Sequence, residues 1–135
     1  MSKVLITGGS GLVGQRLTER LQQKGYEVVH IGRSARSQPV QTYAWDIAES
    51  KLDPSAFEGV EHVVHLAGAG VADKPWSVSR KQEIMNSRVK GTELLLDAMD
   101  WPAKKPKTLI SASAIGYYGD AGMELCTEEH KPGND

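Results

Sequence analysis

Four glycines near the start of the chain have the types and spacing of a phosphate-binding turn. They stand in Val4-Leu5-Ile6-Thr7-Gly8-Gly9-Ser10-Gly11-Leu12-Val13-Gly14. Gly8, Gly11 and Gly14 are three apart, and Gly9, Gly11 and Gly14 fit Gly-x-Gly-x-x-Gly. The chemistry is that of the backbone. One glycine permits a tight turn, one lets a pyrophosphate approach the main chain, and one lets helix and strand pack closely. The N–H groups and positive dipole end of the following helix complete the anion site. The motif follows a short apolar run and opens a helix, which is the context that marks a dinucleotide site. The plainer alternative is a glycine-rich strand-to-helix turn with no ligand.

A second group of residues bears on which dinucleotide. An NAD-preferring site usually ends its second strand in Asp or Glu, which binds the ribose 2′-hydroxyl. Here the strand ends His30-Ile31-Gly32-Arg33-Ser34-Ala35-Arg36. The acid is missing, and a guanidinium follows at once. Arg33 would pair with a 2′-phosphate, with Ser34 as a further donor, so NADP(H) is the expected cofactor. Arg36 fits a third donor, and the plainer alternative for both arginines is an ordinary loop charge. Asp46-Ile47 closes the third strand, where a carboxylate either meets the adenine amino group or caps the next turn. Leu66-Ala67-Gly68-Ala69 ends the fourth strand with small residues that permit close approach of cofactor or substrate. His65, just before, is either a packed strand residue or a ligand contact. Trp76, in the loop beyond, either meets substrate or covers the core's rim. Ser113, Tyr117 and Tyr118 follow the fifth strand and would face the ligand crevice.

The elements that must position these residues are legible from periodicity. A helix is expected over 11–24, with Val13, Leu17 and Leu21 as its buried stripe and Gly25 as its C-cap. Strands are expected over 26–31, 41–45, 59–67 and 108–113, with a short helix over 51–57. A long helix over 77–100 takes Ser77 as N-cap and buries Met85, Val89, Thr92, Leu96 and Met99. Gly91 within it implies close packing. The result is an α/β, Rossmann-like doubly wound parallel sheet. Right-handed crossovers give the strand order 3-2-1-4-5, with ligand across the carboxyl ends of strands 1 and 4.

The 135 residues make one domain, 1–135. A formal net charge of −1 gives no pull toward nucleic acid or a membrane surface. The single cysteine excludes an internal disulfide and suits a reducing, cytoplasmic setting. No metal-ligand spacing is visible, and no apolar run is long enough to span a bilayer. Nothing fixes the oligomeric state.

Together these motifs resemble the extended short-chain dehydrogenases/reductases, the NAD(P)-dependent epimerase/dehydratase group. His65 to Asp73 with Trp76, Ser87-Arg88-Val89-Lys90-Gly91-Thr92, and Ser111 to Gly119 are similar to an atypical subgroup of sugar-nucleotide epimerase-like proteins, some of them cell-division-inhibitor-like. The resemblance implies a Rossmann fold, NADP(H), and a small hydroxylated substrate such as a nucleotide sugar. It implies that Ser113 orients the substrate's hydroxyl or carbonyl, with Tyr117 or Tyr118 as the second catalytic candidate. It also implies a longer architecture with a C-terminal substrate lobe, of which this chain is the N-terminal, cofactor half. Two departures stand out. No Tyr-x-x-x-Lys pair exists in these 135 residues; in the wider family it would lie beyond Asp135, and the atypical subgroup does not reliably keep it. Arg88 stands where the wider family has an asparagine. Arg88 would bind an anionic part of substrate or cofactor, or pair with a carboxylate. Two functions fit: an NADP(H)-dependent oxidoreductase or epimerase, or a non-catalytic NADP(H)-binding redox sensor or regulator.

Overall fold

Apolar residues run without a break through Val4, Leu5 and Ile6 of the first strand, so its side chains must be buried on both faces. The computed structural model describes residues 2–67 and 77–112. In it β1 (Lys3–Thr7) lies inside the sheet and sends Val4 and Ile6 to one face and Leu5 to the other. Around it stand β2 (Glu27–Gly32), β3 (Thr42–Asp46), β4 (Lys51–Leu52), β5 (Val60–His65) and β6 (Thr108–Ser111), in the order β4-β3-β2-β1-β5-β6. The β1–β2, β1–β5, β2–β3 and β5–β6 pairs are all parallel. These five strands keep the expected order. The sixth strand is a correction. Residues 51–57 were expected to form a short helix. Lys51 and Leu52 instead pair antiparallel with Asp46 and Trp45. Only Pro54–Phe57 turn, as a 3-10 helix capped by Asp53, whose side chain accepts from Ser55 N. Burial of Phe57 and Ala56 in the sheet's core outweighs the weak helical pattern before them.

Two helices cover opposite faces. The first, α1 (Leu12–Gln23), lies over Val4, Ile6, Val28 and Val64 through Leu17 and Leu21. Gly25 ends it as expected, at φ +92°, with Gly25 N donating to Gln22 O and Tyr26 N to Leu21 O. Its buried stripe differs from expectation. Val13 is 65% exposed, while Gly14 and Thr18 are buried. The helix seats its glycine against the turn, and this rotates Val13 outward.

The second helix, α2 (Val78–Met99), begins at Ser77, whose hydroxyl accepts from Arg80 N. It covers Leu5, Val29, Ile31, Trp45, Phe57 and Val63. Part of the expected stripe holds, with Met99 packed against this core and Thr92 half-buried against His65, and the rest is turned outward. Met85, Val89 and Leu96 are exposed, and Leu95 fills the core at 0% exposure. Gly91 is the cause. A methyl there would lie 3.3 Å from Ile47 and 3.7 Å from Trp45, so the helix approaches the sheet on the line of Gly91 and Leu95. The neighbouring face, richer in large apolar residues, is left outside.

Leu95→Ala is expected to cost about 2–5 kcal/mol in urea denaturation, and Leu96→Ala about 0.5 kcal/mol or less. Equal losses would mean that α2 is seated on the wrong face.

Candidate functional site

The strand β1 ends at the glycine turn, and three of its four glycines answer to the protein's own packing. Gly8 has φ +73°, and a methyl on it would lie 2.9 Å from Ala67 N, at the end of β5. A methyl on Gly9 would overlap the His30 ring, and one on Gly14 would overlap the Gly8 carbonyl. Gly11 is different. Its φ of −74° suits any residue, and its methyl would meet only Gly8 O at an ordinary 3.4 Å. Among the described residues nothing requires a glycine at 11. The space in front of it faces outward, beside the start of α1. Among the described residues no side chain caps that helix, which leaves its first N–H groups open at this end. Leu12 and Val13 flank it, Leu12 at 92% exposure. Ser10 is exposed, and its carbonyl accepts from Gln15 at 2.6 Å.

A histidine lies beneath the turn. Thr18 donates its one proton to Gly14 O at 2.7 Å and so accepts from His30 Nε2, 2.9 Å away. Burial, with the Arg36 charge as a smaller cause, pushes the His30 pKa down and keeps the ring neutral.

A second threonine–histidine pair ties the turn to β5 and α2. Thr7 Oγ1 accepts from Leu66 N and Ala67 N, both at 3.1 Å. Its proton is therefore directed to His65 Nδ1, at 2.7 Å. His65 Nε2 then donates to Thr92 Oγ1 at 3.1 Å, and its ring meets Trp45 edge-on. Of the two roles open to His65, the packed strand residue is the one observed. Burial pushes its pKa down as well. The Thr7 hydroxyl is wholly committed within the protein, where it fixes Leu66 and Ala67 beside Gly8.

The far end of the site lies where β2 and β3 stop. Arg33 and Asp46 share a groove of about 590 Å³ with Ala44, Trp45, Ser50, Lys51, Leu52 and Asp53. Asp46 Oδ1 accepts from Glu49 N at 3.1 Å, so the capping role is filled and one carboxylate oxygen remains. Asp53 is taken up by Ser55. Arg33 and Lys51 form no ion pair among the described residues, and Ser34 is exposed beside Arg33. Ile47 packs half-buried against Gly91. Arg88 stands on the exposed side of α2 and donates to Ile84 O at 3.4 Å.

Sequence reasoning missed two participants. Lys51 lies on the unexpected edge strand. His30 was read only as part of a strand's end, although its alternation with Val28 in β2 would have placed it on the α1 face. Gly68, Ala69, Trp76, Ser113, Tyr117 and Tyr118 lie outside the described residues. Among the described residues, no three His, Cys, Asp or Glu side chains cluster as metal ligands. No described helix is long and apolar enough to cross a membrane.

Sheet order, helices on both faces and a glycine turn at the switch between β1 and β5 define a Rossmann-like α/β protein. Residues 4–134 match the model of the NAD dependent epimerase/dehydratase family, and the chain belongs to that family. It is 35% identical to an epimerase family protein of Mycobacterium tuberculosis, over 96% of this chain and 42% of that protein. Among solved structures it superposes on human epimerase family protein SDR39U1 (isoform 2) with NADPH, at a TM-score of 0.83 and 26% identity, covering 98% of this chain and 43% of that one. It superposes on the nucleoside-diphosphate sugar epimerase of Corynebacterium glutamicum at a TM-score of 0.80 and 36% identity, covering 99% and 27%. The chain thus spans less than half the length of these relatives.

Two expectations follow for the site. Thr7→Val leaves Ala67 N and a buried imidazole nitrogen without a partner, while Leu66 N keeps the Thr7 main-chain carbonyl. It should lower unfolding free energy by at least about 1–3 kcal/mol in denaturant titration. The two histidines set a pH dependence. Each is harder to protonate folded than unfolded, so below about pH 6.5 the unfolded chain binds more protons. Their contribution is full above about pH 6.5 and is lost as pH falls toward the folded pKa values. The urea midpoint should therefore be lower at about pH 5.5 than at about pH 7.5; a flat profile would mean that neither ring is held neutral.

Proposed function

We propose that residues 1–135 are the NADP(H)-binding domain of an oxidoreductase or epimerase that acts on a small hydroxylated substrate of the nucleotide-sugar type. The observation that carries this is Gly11, a glycine that nothing among the described residues requires, beside helix N–H groups that no described side chain caps. A diphosphate needs that room and those donors. In this reading Thr7 to Gly14 hold the diphosphate, with Gly8, Gly11 and Gly14 at its closest approach. Arg33 and Ser34 take the 2′-phosphate, since Gly32 supplies no carboxylate for a 2′-hydroxyl. Asp46 offers its remaining oxygen to the adenine amino group beside Ile47. Leu66, Ala67, Gly68 and Ala69 border the nicotinamide. The NADPH of the human relative and the name of the Corynebacterium relative support the cofactor and the substrate class.

The cofactor would supply hydride transfer. The chain's own residues would do the rest. Ser113 would orient the reacting hydroxyl, Tyr117 or Tyr118 would exchange its proton, and Arg88 would hold an anionic part of substrate or cofactor. No pull toward nucleic acid or membrane is seen in the charge, and a cytoplasmic setting fits the single cysteine. A non-catalytic NADP(H) sensor is the alternative reading, favoured by Arg88 standing where the wider family's active-site relay has an asparagine. Steady-state hydride transfer to any carbonyl or nucleotide sugar by the full chain excludes it.

Calorimetric titration is expected to show NADPH binding at least about tenfold tighter than NADH, about 1.4 kcal/mol. Arg33→Ala should erase the difference. Gly11→Ala should leave unfolding free energy within about 1 kcal/mol and weaken both cofactors at least about tenfold. Unchanged affinity in Gly11→Ala would remove the main support for a diphosphate at this turn.

A further inference from the structure

His30 lies on β2, yet its ring sits directly beneath Gly9, close enough that a methyl on Gly9 would overlap it. Its Nε2–H goes to Thr18 Oγ1 at 2.9 Å, and that hydroxyl passes its own proton to Gly14 O at 2.7 Å. One side chain thus touches the turn at one end and holds it, through α1, at the other. Filling space alone does not call for an imidazole here, since the neighbouring face-mates Val4, Ile6 and Val28 are apolar. Burying a polar ring carries a desolvation cost, and the hydrogen bond to Thr18 is what it gains in return.

We propose that His30 is a positioning residue for the diphosphate of the bound dinucleotide, acting through its ring on Gly9 and through Thr18 on the Gly14 carbonyl. The proposal rests on the cofactor reading above. His30 touches no cofactor atom in this scheme. It sets the separation between the two ends of the turn, and so the aim of the N–H groups at Gly9 and at the start of α1. The chemistry it serves is that of a bridging diphosphate. An adenosine 2′-phosphate, which reaches only the Arg33 end, does not depend on it.

The test uses the full chain and three probes: NADPH, ADP-ribose, and 2′-AMP, which lacks the diphosphate. His30→Phe keeps a ring under Gly9 and removes the donor. Thr18→Val removes the hydroxyl with little change of shape. Each is expected to weaken NADPH and ADP-ribose about tenfold and to leave 2′-AMP within about twofold. Because both variants break one chain of bonds, the double variant should be no weaker than about the worse single one. Equal losses for 2′-AMP, losses that multiply in the double variant, or unchanged NADPH affinity would each overturn the proposal and leave the cofactor reading standing. If the unaltered chain binds neither NADPH nor ADP-ribose, the cofactor reading falls and His30's role with it.

Discussion

At the glycine turn, main chain packs against main chain and ring at separations no ordinary side chain allows. Gly8 lies against the backbone of Ala67, Gly14 against the Gly8 carbonyl, and Gly9 against the His30 ring. These contacts pull the end of β1, the start of α1 and the end of β5 to one point. The remaining geometry follows from that point. With β1 and β5 held at their carboxyl ends, the sheet opens its switch point outward. With α1 drawn in at Gly14, its N-terminus, uncapped among the described residues, stands beside the same opening. Gly11 is the one glycine left over from this packing, and it borders the opening.

Polar bonds lock what the glycines allow. Two buried threonines do similar work on the two sides of the turn. Thr7 anchors the backbone of Leu66 and Ala67 and hands its proton to His65, which reaches α2 at Thr92. Thr18 anchors Gly14 and is itself held by His30 from β2. In both pairs the direction of the hydrogen bonds follows from counting protons on the threonine hydroxyl. In both, burial favours the neutral imidazole, and His65 needs that state because its Nδ1 accepts from Thr7. The two sides of the sheet are thereby tied to one turn by neutral, satisfied polar groups.

The sequence was most legible where a residue's conformation decides its place. Gly25 ends α1 because a left-handed residue is needed there, Ser77 caps α2 with its hydroxyl, and the parallel strands fall in the expected order. It was least legible where two faces of one helix compete. Along α2 the large apolar residues Met85, Val89 and Leu96 mark one stripe, but Gly91 and Leu95 mark the stripe that is buried. Periodicity weighs side-chain size, whereas the docked face was chosen by how closely the backbone approaches Trp45 and Ile47. The same competition turns Val13 outward on α1. The β3–β4 edge was missed for a related reason, since a two-residue strand has no period to read.

What the sequence determined by itself is local and steric: the glycine spacing, the caps, the apolar run of β1, and Gly32-Arg33 in place of an acid at the end of β2. Each depends on one residue's conformational range or charge, which the chain carries wherever it folds. What only the tertiary structure decided is which of those residues are used up inside the protein. Thr7, a motif residue, spends its hydroxyl on β5 and His65. Asp46 spends one oxygen on its own turn. Gly9 answers to His30. Of the four glycines in the turn, Gly11 alone has no close partner of its own among the described residues, and contacts between residues distant in sequence exist only once the sheet has assembled.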